Sequence, residues 1–205
     1  MKPDYWDTAK RTLATRDLQL GSIIRSYQGE GLRLRGKGFQ TLARAIVGQQ
    51  ISVKAADSIW RKLRAAVVHV TAKRIAQTPP DVLRACGLSN AKVLYMQSLA
   101  THFLANRKQI KKWPLMDDEA IIQELVAIKG IGRWTAEMFL IFGLGRPDVF
   151  PIDDLGLIKG IYRHYNQGVT MTKAELMLVG ESWRPYRSLG TWYMWRVLDP
   201  VPVVY

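Results

Sequence analysis

The sequence has little of several residue types, and each shortage excludes a class of site. Its 205 residues include one cysteine, Cys86, and three histidines. A single thiol excludes an intramolecular disulfide framework and any zinc or iron–sulfur site built from four cysteines. His69, His102 and His164 are too scattered along the chain to suggest a zinc site.

Long apolar runs are missing as well. No run approaches the roughly 18 apolar residues of a membrane-spanning helix, and the first residues lack the features of a secretory signal peptide. We therefore expect no membrane partner and a cytoplasmic, nucleoid-associated location.

Acidic residues are scarce relative to basic ones. Seventeen Asp and Glu accompany 30 Lys and Arg, which gives a formal net charge of +13. Such a surplus favours a polyanionic partner, because each neutralised phosphate releases condensed counterions. Solubility charge or an anionic membrane surface is the alternative explanation. With 48% hydrophobic residues the chain is globular, and its length suits one large domain or two small lobes.

The periodicity of the apolar residues predicts an all-α fold. We find helical spacing repeatedly and no strand-period segment of any length. Four glycines within residues 29–38 predict a loop, where the chain crosses between two helical lobes. Pro200 and Pro202 end the last predicted helix.

The most informative stretch is a hairpin. Ile121, Leu125 and Ile128 recur at helical spacing, and Gly130-Ile131-Gly132 then breaks the pattern. Two glycines in three positions allow positive φ angles and close backbone approach. A second helical run follows at once. We therefore predict a helix-hairpin-helix over about residues 118–142, whose second helix offers unpaired N–H groups to an anion.

Two further features follow or precede this hairpin. Asp153 and Asp154 lie at the predicted start of another helix, where an acid pair commonly serves as a cap. Upstream, residues 48–52 interrupt a long helical region with two adjacent glutamines. This interruption suits either a helix break satisfied by buried amides or a loop directed at DNA.

Together these features resemble the helix-hairpin-helix DNA glycosylases, and within them the 3-methyladenine DNA glycosylase II family. The resemblance extends from about Gly38 to Trp195, most of the chain. The segments that carry it are residues 38–42, 46–52, 125–136, 148–151, 153–156 and 183–188.

The resemblance implies a two-lobed helical glycosylase fold. We expect residues 1–205 to form a single domain of the HhH-GPD type. One lobe would comprise approximately residues 36–115, and the other residues 1–35 together with residues 116–205.

The resemblance also implies a reaction. Cleavage of an N-glycosidic bond develops positive charge on the deoxyribose, and a carboxylate can stabilise that charge and orient water. By resemblance Asp154 is this catalytic carboxylate. Asp153 is the competing candidate and the one we expect to cap the helix, and capping alone is the alternative for either acid. Trp134 occupies the position at which lyase relatives carry a Schiff-base lysine, and tryptophan has no amine to offer. The implied enzyme is monofunctional, releases purines of the 3-methyladenine and 7-methylguanine type, and leaves an abasic site.

Alkylated purines carry positive charge, which aromatic rings attract. By resemblance Trp134 and Trp195 line the base pocket, and Met138 occupies a third position that is aromatic in relatives. The base must leave the stack to reach such a pocket. Gln50 or Ile51 would then fill the gap that the extruded base leaves.

The resemblance assigns the hairpin to the DNA backbone. The N–H groups of Gly130 and Gly132 would hold a phosphate, Arg133 would add positive charge, and Thr135 belongs to the same DNA-binding set. No cofactor is required.

In the family, hairpin carbonyls also hold a monovalent cation such as K⁺ or Na⁺. The resemblance places this metal at the backbone carbonyls of Ile128 and Ile131.

The expected partner is double-stranded DNA with an extruded damaged base, bound by a monomer. The alternative is a non-enzymatic helix-hairpin-helix protein that binds DNA damage without cutting it. A glycosylase for oxidised or mismatched bases is disfavoured by Trp134 and by the missing cluster cysteines.

Overall fold

The computed structural model describes residues 1–27, 29, 31–35 and 38–198. Within these ranges the chain forms thirteen α-helices and no β-strand, which confirms the predicted all-α class. The helices are α1 (Trp6–Arg16), α2 (Leu18–Ser26), α3 (Gly38–Gly48), α4 (Val53–Val67), α5 (Ala72–Gln77), α6 (Pro80–Ala85), α7 (Asn90–Ala105), α8 (Arg107–Ile110), α9 (Asp118–Val126), α10 (Arg133–Phe139), α11 (Leu155–Tyr165), α12 (Lys173–Ser182) and α13 (Arg187–Leu198).

Two short helical turns that are not α-helical accompany them. A 3₁₀ turn, Trp113–Leu115, precedes α9, and a π-helical turn, Leu140–Leu144, follows α10. None of the described helices has both the length and the apolar character that a membrane crossing requires. The predicted helix end at Pro200 and Pro202 lies outside the described residues.

Short polar side chains begin most of the longer helices. At seven helix starts the N-cap side chain accepts a hydrogen bond from a backbone N–H of the first turn, which satisfies a donor that has no partner inside the helix. These caps are Asp17, Ser52, Thr71, Ser89, Asp117, Asp154 and Thr172.

The chain divides into two compact units. Among the described residues, the hairpin unit lies within Arg35–Phe139, and the terminal unit comprises the residues up to Leu34 together with residues 140–198. The second boundary differs from the predicted one, because residues 116–139 belong with the hairpin unit. There α9 packs against α10, and α10 packs against α3.

The hairpin unit is organised around α7, which α3, α5, α6 and α8 all contact. A chain of edge-to-face aromatic rings runs through its core, with centroids 5.3 to 5.6 Å apart, a favourable geometry for aromatic pairs. These rings are Phe39, Phe103, Trp113 and Phe139. The Trp113 indole also donates a hydrogen bond to Glu124 at 3.0 Å, so its polar atom is satisfied.

The terminal unit is organised around α13, which packs against α1, α2, α11 and α12. Trp6 meets Trp192 edge-to-face at 5.2 Å and stacks on Tyr193 at 6.2 Å. Helix α11 approaches α13 closely at Gly160, where a Cβ atom would lie 2.8 Å from Met194 Cβ. A glycine is therefore required at this crossing.

One acid joins three helices of the terminal unit. The Asp17 carboxylate accepts hydrogen bonds from the Leu20 N–H at 2.9 Å, the Tyr165 hydroxyl at 2.6 Å and the Trp183 indole N–H at 3.0 Å. It caps α2 and holds the end of α11 and the residue after α12.

Replacing this acid, Asp17→Ala, is expected to destabilise the protein strongly. Hydrogen bonds to a charged group are each worth about 1.5–3 kcal/mol, and the loss of all three should lower the free energy of unfolding by about 3 kcal/mol or more. Urea unfolding measures this change. Asp4→Ala, which removes an exposed acid of the same unit, is the matched control. Equal stability of the two variants would contradict the prediction.

Candidate functional site

The hairpin turn between α9 and α10 is anchored by apolar side chains. The Ile131 N–H donates to the Ile128 carbonyl at 3.0 Å, which closes the turn. Both isoleucine side chains are buried, with 3% and 4% exposed. The turn therefore presents backbone atoms to solvent while its side chains point into the core.

The fold requires a glycine at only one of the two glycine positions of the turn. Gly130 has φ +90°, and a Cβ there would lie 2.1 Å from Cγ of Tyr95 on α7. Gly132 is exposed, and no described atom lies within 4 Å of its Cβ position. Gly130 is thus required by the fold, whereas the fold places no such demand on Gly132. Space at Gly132 is what close approach of a ligand would need.

Arg133 differs from its predicted role as a source of free positive charge. Its guanidinium binds the Glu119 carboxylate through two bonds of 2.9 and 2.7 Å, and its Nε donates to Glu137 at 3.1 Å. Arg133, with help from Gln123, holds the pKa of Glu119 at about 2. Because this pKa is depressed, the stabilisation is present above the ordinary carboxyl pKa and is lost only as the pH falls toward 2. The sequence prediction missed this pairing, which neutralises Arg133.

The next residues of α10 are differently exposed. Trp134 is half-buried, whereas the side chains of Thr135 and Met138 are buried, with 5% and 4% exposed. The buried Thr135 hydroxyl cannot reach a phosphate without a local rearrangement. The predicted DNA contact at Thr135 would therefore be made by its backbone atoms, and it stays a prediction.

The interruption between α3 and α4 is a loop with an exposed tip. Gln50 is exposed and has φ +58°, an uncommon backbone conformation for a residue other than glycine. Ile51 beside it is 38% exposed. The neighbouring Gln49 is part-buried and its amide donates to the Gly130 carbonyl at 2.9 Å, whereas Gln50 is exposed; a contact of this loop with DNA stays a prediction.

Lys92 was missed by the sequence prediction. It lies in the first turn of α7, and its ammonium donates to the carbonyls of Val47 and Gln49 at 2.8 and 2.7 Å. A lysine in the first turn of a helix, here three residues after the Ser89 cap, is disfavoured by the helix dipole. A cation in that place indicates a specific partner.

In the terminal unit, Asp154 and not Asp153 caps α11. Asp154 is 8% exposed, and its Oδ1 accepts hydrogen bonds from the Leu157 N–H at 2.6 Å and the Trp195 indole N–H at 2.8 Å. Asp153 is exposed and pairs with Lys173 at 2.9 Å. The predicted assignment of the cap to Asp153 is wrong, because the helix begins one residue later.

Trp195 is held against Asp154 by its neighbours. Its half-buried indole stacks on Phe142, with centroids 5.9 Å apart and planes 16° from parallel. A Cβ at Gly156 would lie 2.9 Å from Trp195 Cδ1 and 3.1 Å from Asp154 Oδ1. The glycine of the Asp-Leu-Gly sequence therefore leaves the space that the indole needs to reach the carboxylate.

This arrangement suits stabilisation of positive charge. A carboxylate fixed by two donors and largely removed from water interacts more strongly with a cation than an exposed one does. Among the described residues there is no group of three His, Cys, Asp or Glu side chains that could hold a metal ion.

Sequence comparison places this chain beside DNA repair proteins. The sequence model described as HhH-GPD superfamily base excision DNA repair protein matches residues 43–185. DNA-3-methyladenine glycosylase 1 of Schizosaccharomyces pombe is 31% identical over 183 residues, which cover 87% of this chain and 80% of that protein. The chain spans 66% and 63% of the length of two further curated relatives.

Solved structures agree with the sequence comparison. The crystal structure of a DNA-3-methyladenine glycosidase from Bacillus halodurans matches with TM-score 0.85 and 31% identity, over 93% of this chain and 89% of that one. The 3-methyladenine DNA glycosylase of Schizosaccharomyces pombe, in complex with abasic DNA, matches with TM-score 0.78 and 27% identity, over 97% and 99%.

The two hairpin glycines should respond differently to an added methyl group. Gly130→Ala forces a left-handed backbone on alanine, which costs about 1–2 kcal/mol, and the new Cβ overlaps the Tyr95 ring. Gly132→Ala meets neither obstacle. We expect urea unfolding to show a loss of at least about 2 kcal/mol for Gly130→Ala and under about 0.5 kcal/mol for Gly132→Ala. Similar losses would show that the turn is not built as described.

Glu119 should limit the contribution of Arg133 to DNA binding. Glu119→Gln removes the exposed one of the two carboxylates that pair with Arg133 and leaves Glu137, so we expect tighter duplex binding. The slope of log affinity against log salt should steepen by about 0.9 for each additional phosphate neutralised. Asp81→Asn, an exposed acid of the same unit, is the charge-matched control. The contrary result is a salt slope that Arg133→Ala alone makes flatter by about one unit. It would mean that Arg133 already leaves Glu119 and binds a phosphate in the wild-type complex.

Proposed function

Because the chain belongs to the HhH-GPD superfamily of base excision DNA repair proteins, we propose that it is a monofunctional DNA glycosylase for alkylated purines. It hydrolyses the N-glycosidic bond of bases of the 3-methyladenine and 7-methylguanine type and leaves an abasic site. The family match confirms the predicted helical glycosylase fold and the role in base excision repair. The names of the relatives support the choice of alkylated bases.

The observation that carries the proposal is the buried Asp154 carboxylate. As the glycosidic bond lengthens, positive charge develops on the sugar, and a fixed carboxylate stabilises that charge more than it stabilises the neutral ground state. The same group can orient or deprotonate the attacking water. A protein that only bound DNA would need a helix cap at this position, which asparagine supplies as well, and would gain nothing from a negative charge near a polyanion.

Trp195 has a positioning role in this proposal. Its indole N–H donates to Asp154 Oδ1, and the Leu157 N–H donates to the same oxygen. Two donors on one oxygen restrict rotation of the carboxyl group. The carboxylate therefore needs little reorganisation when charge develops, which is the condition for effective electrostatic catalysis.

Base recognition is assigned to Trp134, Trp195 and Met138, as the resemblance implies. A methylated purine is cationic, and contact with a tryptophan face is worth about 0.5–2 kcal/mol. The positive charge also makes the base a good leaving group, so a dedicated general acid is not needed. Since Trp134 provides no amine, no Schiff base forms there and the strand stays intact.

Duplex DNA with an extruded base is the proposed partner, bound by a monomer. The net charge of +13 supports this, and so does the abasic DNA bound to the fission-yeast glycosylase. The hairpin N–H groups at Gly130 and Gly132 would meet a phosphate, and Gln50 or Ile51 would fill the gap in the stack.

The backbone carbonyls of Ile128 and Ile131 are proposed to hold K⁺ or Na⁺. Carbonyl oxygens suit such hard cations. The Ile128 carbonyl already accepts the Ile131 N–H, and a carbonyl oxygen has a second lone pair for a metal. The cation would add positive charge beside the phosphate that the hairpin binds.

The decisive test compares Asp154→Asn with Asp153→Asn on methylated duplex DNA. Asparagine caps helices as well as aspartate does, so Asp154→Asn should fold and bind abasic DNA. We expect it to slow base release by roughly a hundredfold to a thousandfold, while Asp153→Asn keeps wild-type activity. Strands should break only after alkali treatment of the product.

Other outcomes identify the alternatives. If the wild-type protein bound damaged DNA and released no base, the non-enzymatic damage-binding protein would be the better account. Strand cleavage without alkali would show that the enzyme is a lyase. Equal loss of activity in both aspartate variants would remove Asp154 from its assigned role.

A further inference from the structure

The C-terminal end of α3 is held by a lysine from another helix. The Lys92 ammonium lies 2.8 Å from the Val47 carbonyl oxygen and 2.7 Å from that of Gln49. The last carbonyls of a helix have no partner inside the helix and carry the negative end of its dipole. Burial lowers the pKa of Lys92, because its ammonium has exchanged water for these carbonyls.

The position of Lys92 is electrostatically unfavourable for its own helix, α7. It lies in the first turn of α7, where the helix dipole disfavours a cation. Helix α7 would be served better by an acid at this position. Its contact with the end of α3 is therefore the physical reason for a lysine here.

Helix α7 also contacts the hairpin, through the same face. Tyr95 follows Lys92 by three residues, so the two side chains lie on one side of the helix. The Tyr95 ring fills the space beside Gly130, while the Gln49 side chain donates to the Gly130 carbonyl at 2.9 Å. The loop at residues 48–52 and the hairpin turn are thus joined both directly and through α7.

Within the loop, one long backbone hydrogen bond of 3.5 Å, from the Ile51 N–H to the Gly48 carbonyl, spans the tip. Gln50 has φ +58° and is exposed, so neither backbone preference nor burial fixes it. Its flanks are fixed instead. Lys92 and the Gln49 amide hold the residues before the tip, and Ser52 after the tip caps α4 by accepting the Ala55 N–H at 3.2 Å.

We propose that Lys92 is a positioning residue for base extrusion, which with Gln49 and Tyr95 holds the loop at residues 48–52 in fixed register with the hairpin turn. The tip then enters the duplex at a set distance from the phosphate that the hairpin binds. This inference rests on the proposed glycosylase function, since a loop that fills an emptied stack is useful to an enzyme that extrudes a base. Because the Lys92 ammonium donates to two protein carbonyls, the proposal assigns it no phosphate contact.

The test uses the full chain with Lys92→Met, which keeps most of the length of the side chain and removes its charge. Lys92→Arg is the conservative rescue, and Gln49→Met breaks the second link. Lys108→Met is the charge-matched control: it is exposed in α8, beyond the far end of α7 and about 20 Å from Lys92 at 1.5 Å per residue.

Three readouts separate positioning from other roles. Single-turnover release of methylpurine from duplex DNA reports the chemical step. The fluorescence of 2-aminopurine beside a stable abasic analogue reports unstacking. The salt dependence of binding to undamaged duplex reports phosphate contacts, and losing one flattens the slope by about one unit.

We expect Lys92→Met and Gln49→Met to slow single-turnover release by about tenfold to a hundredfold, because small misplacements cost that much. Both should reduce the fluorescence increase, leave the salt slope unchanged and keep a cooperative thermal transition. Lys92→Arg should recover most of the rate. Lys108→Met should match the wild type in rate and fluorescence.

Each contrary result has a definite meaning. A Lys92→Met variant equal to Lys108→Met in both rate and fluorescence overturns the proposal, and so does a flatter salt slope with an unchanged rate at saturation. If Lys92→Met does not fold, Gln49→Met decides by the same readouts. If the wild type releases no base, the proposed function fails, and the fluorescence comparison still decides whether Lys92 positions the loop.

Discussion

A charged group that leaves water must find donors to replace it, and the Asp154 carboxylate is the clearest case in this protein. It is 8% exposed and accepts the N–H groups of Leu157 and Trp195. The start of α11, the glycine at 156 and the stack of Trp195 on Phe142 all serve this one placement. The carboxylate is thereby both the cap of a helix and a fixed negative charge suited to an oxocarbenium-like sugar. The structural use of this side chain and the chemical use that we propose for it are compatible, because they draw on the same hydrogen bonds.

The hairpin turn differs from this arrangement, because its isoleucine side chains are buried and its exposed glycine leaves the backbone accessible. Ile128 and Ile131 are buried, Arg133 is paired with Glu119, and the exposed Gly132 has open space around it. In the function we propose, the N–H groups of this surface bind phosphate without reading sequence. Discrimination between bases would then rest on the aromatic residues assigned to the extruded base.

Charge illustrates why composition is a coarse guide. The surplus of +13 pointed to a polyanion, and the family match agrees. Yet Arg133, which follows the hairpin glycine Gly132, is paired with Glu119, and Lys92 is turned toward carbonyls. Net charge gives the attraction between protein and DNA, whereas the partners of each cation decide where that attraction acts.

The sequence by itself determined the helical class, the hairpin with its two glycines and the absence of an amine at Trp134. These follow from apolar spacing, backbone freedom and side-chain chemistry, which are properties of short segments. Tertiary structure alone decided that Asp154 rather than Asp153 caps α11, that Arg133 is paired and that Lys92 holds the end of α3. It also decided that residues 116–139 belong with the hairpin unit. The reason is the same in each case: a helix boundary shifted by one residue, or an ion pair between distant residues, depends on which groups packing brings within about 3 Å, and periodicity carries no information about that distance.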